Sequence, residues 1–360
     1  MERRVAALPG ALPRGPDPAT RTPGLRPKAA CVSRERRVEG MQPTMCKQHG
    51  LVEEMSRMTK VQGSGPASIV VRCPAKLNLF LEVVRRRPDG FHDLDTVMQA
   101  IDLFDDLAIT PCEEPTLSLE CSDPSLPTDA RNLVLRAAVA LRERTGHRGG
   151  AHFALTKRIP QQAGLGGGSS DAAGSLVGLN QAWGLGLSRE ELREVAAGVG
   201  SDVAFFLYGG TAHCAGRGEV VEPVPAPARF HYVLVCPPFG VSTAAAYGRV
   251  RLTSERARAS MLLESLAQGS VAGAGKGLFN RLEDAAFELQ PELRDLRARL
   301  ADIGLFAGTC MTGSGSGLFG LCEAGAWSLA REAAARLGVG RVHAVRSVVS
   351  GVGFGPESPS

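Results

Sequence analysis

The stretch Pro160-Gln-Gln-Ala-Gly-Leu-Gly-Gly-Gly-Ser-Ser-Asp-Ala-Ala-Gly174 carries the strongest structural signal in the chain. Its glycines at 164, 166, 167 and 168 allow backbone N–H groups to approach a ligand closely. Ser169 and Ser170 are typical of a helix start, where unpaired N–H groups favour an anion. We predict a phosphate-binding loop that leads into a helix over residues 170–183. A flexible glycine loop before a capped helix is the alternative.

Two other phosphate-binding patterns fail on inspection. Gly275-Lys276-Gly277 lacks the first glycine of a P-loop and the hydroxyl residue after the lysine. The glycines at 315, 317 and 320 fit G-x-G-x-x-G, but a strand-like run follows them where a dinucleotide-binding fold needs a helix. The sequence therefore does not favour either nucleotide-binding fold.

Composition bounds the class of protein. The chain has 360 residues, of which 44% are hydrophobic and 22% charged, as expected for about two globular domains. Residues 1–60 carry a net charge of +6 and the remainder a net charge of −2, so the body offers no basic footprint for nucleic acid. The nine cysteines form no C-x-x-C pair and the histidines show no ligand spacing, so we expect free thiols, a reducing compartment and no structural metal site.

Residues 1–65 differ from the rest of the chain, because proline and arginine recur there without any sustained apolar period. We interpret this segment as a disordered basic arm, or as the product of a start codon assigned too far upstream. It lacks the apolar run of a secretory signal, and its acidic residues and scarce serines argue against an organelle transit peptide. Binding of nucleic acid or an acidic membrane by the arm alone stays open.

Apolar patterning beyond the arm mixes strands and helices without strict alternation, which favours an α+β fold. The uncharged window 303–322 is too rich in glycine, serine and threonine for a membrane span and indicates strand, loop and strand. The proline-rich residues 223–228 are the predicted domain boundary. The predicted strands are 68–73, 77–84, 107–110, 117–121, 152–155 and 231–236, and the predicted helices are 132–143, 170–183, 188–197, 292–301 and 326–337.

Four motifs, in order and spacing, resemble the GHMP kinases. Besides the stretch 160–174, they are Pro74-Ala-Lys-Leu-Asn-Leu-Phe-Leu81, Gly200-Ser-Asp-Val-Ala-Phe-Phe206 and Met311-Thr-Gly-Ser-Gly-Ser-Gly317. The resemblance covers about residues 68–352, and the first of these motifs separates the chain from the mevalonate, homoserine and galactose kinases.

The resemblance implies a two-domain GHMP kinase fold. An N-terminal domain like domain 2 of ribosomal protein S5 would occupy residues 66–228, and a ferredoxin-like C-terminal domain residues 229–352, with a tail at 353–360. ATP, with Mg²⁺, would phosphorylate the 2-hydroxyl of a cytidine-diphosphate-linked methylerythritol in non-mevalonate isoprenoid synthesis. We expect a cytoplasmic enzyme without nucleic-acid or membrane partners. Its oligomeric state, monomer or homodimer, stays open.

The resemblance also assigns site residues. Asp202 would accept the hydroxyl proton late in transfer, and Lys76 would keep that carboxylate charged and attract the developing oxyanion. Structural alternatives are a helix N-cap for Asp202 and a solvated strand-end position for Lys76. The predicted ATP-binding residues are Pro160, Gln161, Gln162, Ala163, Gly164, Leu165, Gly166, Gly167, Gly168, Ser169 and Ser170, with Asn132 and Lys157 near the adenosine. The predicted acceptor-binding residues are Asn78, Phe91, His92, Tyr247, Gly313, Ser314 and Gly315.

Some assignments depart from the family pattern or have alternatives. Gln161 and Gln162 stand where the family often has small residues, and Phe91 stands where tyrosine is common. Gly313, Ser314 and Gly315 would contact substrate phosphates, or form only a hairpin turn, and Asn280 and Glu283 are interpreted as structural. No Mg²⁺ ligand can be assigned. A GHMP kinase for another alcohol and a non-catalytic ligand sensor are the rival functions.

Overall fold

The computed structural model describes residues 68–354, so the predictions for residues 1–65 and most of the tail lie outside the described residues. The elements up to residue 223 are the strands β1 to β6 and the helices α1 to α4. Their bounds are β1 Ile69–Arg86, β2 His92–Cys112, β3 Leu117–Cys121, α1 Leu133–Thr145, β4 Gly150–Thr156, α2 Gly167–Ala182, α3 Arg189–Val199, α4 Val203–Tyr208, β5 Thr211–Gly216 and β6 Val220–Pro223.

The remaining elements begin with a strand of the second sheet. They are β7 His231–Cys236, α5 Thr243–Arg249, α6 Ser260–Ala267, α7 Val271–Lys276, β8 Phe279–Asn280, α8 Glu283–Leu289, α9 Glu292–Ala301, β9 Gly308–Met311, β10 Leu318–Cys322, α10 Trp327–Ala335, β11 Arg341–Arg346 and β12 Gly353–Phe354.

The strands form two sheets. The larger has the order β12-β1-β2-β4-β3, and β2 also pairs with β5, β5 with β6, and β1 with β8. The smaller is antiparallel in the order β11-β7-β10-β9. This mixed architecture confirms the predicted α+β class. The chain passes between sheets after β6, but β8 and β12 return to β1, and the boundary at residue 228 stays a prediction.

Two strand predictions were wrong in their bounds. The strand predicted over residues 107–110 is the last part of β2, which begins at His92. The second case lies in β1. The runs on either side of Pro74 are a single strand, β1, which pairs with β2 along nearly its full length. The register between the two strands shifts between Pro74 and Ala75, and such an irregularity accommodates a residue that has no N–H to donate. Because the strand continues, Lys76 lies in its interior and not at its end.

The helix predictions agree closely with the structure, with one exception at a functional position. Ser188 and Glu191 form the predicted capping box of α3. Helix α2 begins at Gly167, three residues before the predicted start at Ser170. The glycines therefore belong to its first turn, so their backbone N–H groups lie at the helix N-terminus.

Helix α2 packs unusually close to the larger sheet, which explains part of the high glycine content. A Cβ atom on Gly174 would lie 2.5 Å from Sγ of Cys73, and one on Gly178 would lie 2.3 Å from Cδ1 of Ile109. Both distances are shorter than a van der Waals contact, so any side chain at position 174 or 178 would push the helix away from the sheet. The close packing fixes the height of the helix N-terminus above β1 and β2.

The uncharged window forms the predicted strand, loop and strand, β9 and β10, which pair in an antiparallel hairpin. Among residues 68–354, no helix combines the length and apolar character required to cross a bilayer. The seven cysteines in this range are free, as expected, and Cys73, Cys236 and Cys310 are buried.

Candidate active site

The four motifs meet around one cavity of about 1180 Å³. Strand β1, the loop before α2, the start of α4 and the β9–β10 loop all contribute to its wall. Of the predicted site residues, only Ser170 and Gly315 do not line it. The cavity residues that had been predicted are Lys76, Asn78, Phe91, His92, Asn132, Lys157, the loop residues 160–169, Asp202, Tyr247, Gly313 and Ser314.

Lys76 is buried on β1 with its ammonium facing Asp202, at 3.7 Å between Nζ and Oδ2. The side chain of Lys76 is only 4% exposed, so the alternative of a solvated lysine is wrong. Burial lowers the pKa of Lys76, and the negative charge of Asp202 opposes that shift. The pair therefore shares the buried floor of the cavity, with the carboxylate on the more open side.

Asp202 occupies the N-cap position of α4, but its carboxylate accepts no capping hydrogen bond. The N-cap alternative accounts for its position on the backbone and not for its side chain. Because the side chain is 28% exposed and lines the cavity, it is accessible to a bound ligand.

Asn78 holds the ammonium of Lys76 from the same strand. Its Oδ1 accepts a hydrogen bond from Lys76, while its Nδ2 donates to Oγ1 of Thr96 at 2.9 Å. Oγ1 of Thr312 accepts from the backbone N–H of Asn78 at 3.0 Å and donates to the carbonyl of Gly164 at 3.2 Å. Thr312 thus connects the strand that carries the lysine to the glycine-rich loop.

The glycine-rich loop is fixed through its carbonyl groups. Those of Gln162, Ala163 and Leu165 accept from the backbone N–H groups of Ser316, Gly317 and Lys76, at 3.0–3.2 Å. Gly166, the N-cap of α2, provides no side-chain cap, so the first-turn N–H groups stay available to a ligand. With its carbonyls held on one side and its helix N-terminus open, the loop fits a phosphate group.

Gln161 and Gln162 show how the loop departs from the family pattern. Gln162 has a φ of 51°, in the left-handed region that glycine adopts without strain. This backbone conformation explains why the family often has a small residue at this position. Nε2 of Gln161 donates to Asp123 and to Oγ of Ser125, so this side chain fastens the loop to the segment after β3.

Lys157 places its ammonium between two buried carboxylates, those of Asp105 and Asp171. Burial would lower the pKa of Lys157, but the two carboxylates more than offset it, and the pKa is raised. For Asp171, burial and the second carboxylate raise the pKa, since one ammonium cannot compensate two negative charges. Lys157 precedes the loop and Asp171 follows it, so the cluster joins the loop's two ends.

Asn132 lines the cavity, as Lys157 does. Its Oδ1 caps α1 by accepting from the N–H of Val134 at 3.0 Å, and its Nδ2 donates to the carbonyl of Pro127 at 2.8 Å. Both functional atoms of the amide are thus occupied within the protein, which fixes the segment that borders the cavity.

Aromatic rings also line the cavity. The rings of His92 and Tyr247 stack at 5.3 Å, and Phe91 beside them is half exposed. Burial and the neighbouring Arg86 lower the pKa of His92, so its imidazole is neutral near pH 7 and can both donate and accept a hydrogen bond. A planar base can stack on the exposed rings, but not between the two rings already in contact.

The β9–β10 loop packs directly on the glycine-rich loop. A Cβ atom on Gly313 would lie 2.9 Å from the carbonyl oxygen of Gly164 and 3.3 Å from Nζ of Lys76. Asn280 donates to the carbonyls of Met311 and Gly313, both at 2.8 Å, and Glu283 accepts from the N–H of Met311. These contacts agree with the interpretation of Asn280 and Glu283 as structural.

Several residues of the site were not assigned from the sequence, among them Asp105, Asp171, Arg217 and Thr312. Asp171 and Thr312 lie inside quoted motifs, but their partners are 66 and 148 residues away in Asp105 and Gly164. Arg217 lines the cavity from the β5–β6 turn, where Gly-Arg-Gly between apolar runs indicates a tight turn. Asp105 gives no local signal. Within residues 68–354, no group of three or more His, Cys, Asp or Glu side chains forms a metal cluster.

Comparisons with known proteins give a consistent result. The GHMP kinases N terminal domain matches residues 132–210, and the GHMP kinases C terminal domain matches residues 262–354. The 4-diphosphocytidyl-2-C-methyl-D-erythritol kinase of Shouchella clausii is 40% identical over 254 residues, 70% of this chain and 85% of the relative. That of Pelotomaculum thermopropionicum is 44% identical over 250 residues, 69% of this chain and 86% of the relative.

A solved structure adds the fold. A crystal structure of 4-(cytidine 5'-diphospho)-2C-methyl-D-erythritol kinase superposes with a TM-score of 0.66 at 36% identity. The superposition covers 78% of this chain and 99% of the other.

Proposed function

The chain belongs to the GHMP kinase family, and we propose that it transfers the γ-phosphoryl group of ATP to the 2-hydroxyl of 4-diphosphocytidyl-2-C-methyl-D-erythritol, in the non-mevalonate route to isoprenoid precursors. One observation carries the proposal. Lys76 pairs with Asp202, whose carboxylate makes no capping hydrogen bond, and the N-terminus of α2 beside them has no side-chain cap. The acceptor is the one named for its relatives.

In the transfer, the hydroxyl oxygen forms a bond to the γ-phosphorus while the bond to the β–γ bridging oxygen breaks. The hydroxyl proton passes to Asp202. An ordinary aspartate, with a pKa of about 3.9, is too weak to remove this proton in the ground state. It accepts the proton as the hydroxyl becomes acidic late in the step.

Lys76 contributes charge without needing to move. Asn78 orients its ammonium, and burial strengthens its attraction to the phosphoryl oxygens in the transition state. Because the ammonium lies 3.7 Å from Oδ2 of Asp202, it also holds that carboxylate at the site of transfer by charge attraction. Both roles depend on the fold, which brings Lys76 of β1 within 3.7 Å of Asp202 at the start of α4.

ATP would place its phosphates on residues 160–170 and its adenosine near Asn132 and Lys157. Two carboxylates line the cavity: that of Asp202 is partly exposed, and Oδ1 of Asp171 is buried with no hydrogen-bond partner. With phosphate oxygens and water, such a sparse set of oxygen donors fits Mg²⁺ carried on the nucleotide. The ion would neutralise phosphate charge during transfer.

The acceptor would lie with its cytosine against Phe91, His92 and Tyr247 and its hydroxyl at Asp202. A neutral imidazole suits the mixed donors and acceptors of cytosine. Asn78, Gly313, Ser314 and Gly315 would border its sugar alcohol and phosphates; Ser314 is held by Oγ1 of Thr243 at 2.9 Å. The free thiols fit a reducing, cytoplasmic compartment.

The test is ATP-dependent phosphorylation of this acceptor by the full chain. We expect Asp202→Asn and Lys76→Met each to lower kcat at least about 100-fold, which corresponds to roughly 2.7 kcal/mol of barrier. Asp295→Asn on α9 and Lys276→Met on α7, both at exposed positions, are matched controls.

If the wild type binds ATP but leaves the acceptor unchanged, the acceptor assignment is wrong, and a panel of other small alcohols is the next substrate set. If Asp202→Asn keeps kcat within threefold of the wild type, the base assignment is wrong. Binding of ATP without turnover of any alcohol would favour the rival function, a ligand sensor.

A further inference from the structure

Arg217 is a cation in the cavity wall to which the reaction outlined above assigns no role. It lies on the tight turn between β5 and β6. Its guanidinium group packs on the ring of Phe91, with Cζ 4.9 Å from the ring centroid. One N–H of Nη2 donates to the carbonyl of Ala197 at 3.2 Å. These two contacts hold the group in place at the cavity edge.

The turn that carries Arg217 spans the distance between the two ends of the proposed acceptor site. Next to Arg217, a Cβ atom on Gly218 would lie 3.4 Å from Oδ1 of Asp202, so the turn packs on the proposed base. At the other end, the guanidinium contacts Phe91, where the cytosine would bind. In the acceptor, a diphosphate joins the cytidine to the sugar alcohol, so the diphosphate would pass this turn.

The guanidinium retains hydrogen-bonding capacity. Of its five N–H groups, one is paired within the described residues, and Oε1 of Glu219 is 3.9 Å from Nε, beyond hydrogen-bond distance. The side chain is 27% exposed and lines the cavity. Stacking on an aromatic ring with N–H groups directed outward is a geometry in which arginine binds phosphate.

Resting on the proposed function, we propose that Arg217 binds the diphosphate of the acceptor. The residue is therefore a specificity determinant that distinguishes a nucleoside-diphosphate-linked alcohol from a free one. Phe91 positions its guanidinium group, and Gly218 allows the turn to approach Asp202.

The experiment compares the full-length wild type with Arg217→Gln and Arg217→Lys. With Arg217→Gln, we expect KM for the acceptor to rise about 10- to 100-fold, the effect of losing a charged hydrogen bond, while KM for ATP stays within twofold. Arg217→Lys keeps the charge but loses the planar stack on Phe91. Its KM for the acceptor should therefore lie between those of the wild type and Arg217→Gln. Arg189→Gln is the control, because Arg189 packs on Tyr208 at 5.3 Å, and neither residue lines the cavity.

Inhibition by cytidine and by CDP separates phosphate binding from a structural role. In the wild type, CDP should inhibit more strongly than cytidine, and in Arg217→Gln this preference should fall at least tenfold, with inhibition by cytidine retained. Equal weakening of both inhibitors would overturn the proposal, since Arg217 would then act only by holding Phe91. An unchanged KM and CDP preference would overturn it as well. Acceptor turnover by the wild type tests the proposed function independently, so the two failures are distinguishable.

Discussion

Replacing glycine by alanine should have opposite effects on the stability of the protein at two positions of the glycine-rich loop, Gly164 and Gly168. At Gly164, φ is +72° and a Cβ atom would lie 2.0 Å from the carbonyl oxygen of Thr312. At Gly168, within the first turn of α2, φ is not positive and the nearest atom to a Cβ would be Cδ1 of Leu133 at 3.7 Å, an ordinary contact.

The magnitudes follow from these geometries. In Gly164→Ala, left-handed backbone strain costs about 1–2 kcal/mol and overpacking about 1–3 kcal/mol more, so we expect a loss of about 2–5 kcal/mol in the free energy of unfolding. The obstacle is backbone, which cannot rotate away as a side chain could. In Gly168→Ala, the helical alanine should raise the free energy of unfolding by about 0.5–1 kcal/mol.

Equilibrium urea unfolding, followed by circular dichroism, measures both variants against the wild type. The midpoint should fall for Gly164→Ala and rise slightly for Gly168→Ala, with equal m-values. An unchanged midpoint for Gly164→Ala would refute the close packing of the two loops. Equal destabilisation by both variants would show that loop flexibility, and not the contact with Thr312, requires glycine.

Two further predictions concern polar contacts that join distant segments. Thr312→Val should raise KM for ATP and cost about 1–3 kcal/mol in the free energy of unfolding, because the N–H of Asn78 and the carbonyl of Gly164 each lose a partner; steady-state kinetics and urea unfolding measure this, and unchanged values would contradict it. The pKa of Glu82 is lowered, because hydrogen bonds from Arg281 and from two backbone N–H groups outweigh the effect of burial. Its stabilisation is therefore complete above its ordinary pKa and lost as pH falls through the lowered value. Glu82→Gln should cost about 2–4 kcal/mol at pH 7 and flatten the acid limb of a plot of Tm against pH; an unaltered acid limb would show that Glu82 does not contribute to it.

Most of the site could be predicted from sequence because its chemistry is concentrated in short motifs. The glycine-rich loop combines backbone freedom with a helix start within eleven residues, and such a combination is recognisable without knowledge of the fold. The roles of Lys76 and Asp202 came from the order of the motifs, since nothing local distinguishes them from an exposed lysine and an N-cap aspartate. Their assignments, like those of the other site residues, stay proposals that the kinetic tests address.

Residues whose role depends on partners far along the chain could not be predicted. Asp105 lies in a strand with two other acidic residues nearby, and only folding shows that it alone is buried against Lys157. Arg217 stands in a surface-like turn that packs on Phe91 only because β5 pairs with the first half of β2. The continuous course of β1 through Pro74 was likewise decided by pairing with β2, which accommodates a register shift.

The sequence by itself determined the α+β class, the four motifs and the positions of five of the ten helices and seven of the twelve strands within residues 68–354, because these depend on local periodicity, capping and backbone freedom. Tertiary structure alone decided which charges are buried and which are accessible. Burial depends on segments more than one hundred residues apart, such as Lys76 and Asp202, packing around one cavity. That packing removes Lys76 from water and so lowers its pKa. No pattern in the sequence indicates how deeply a side chain will be buried.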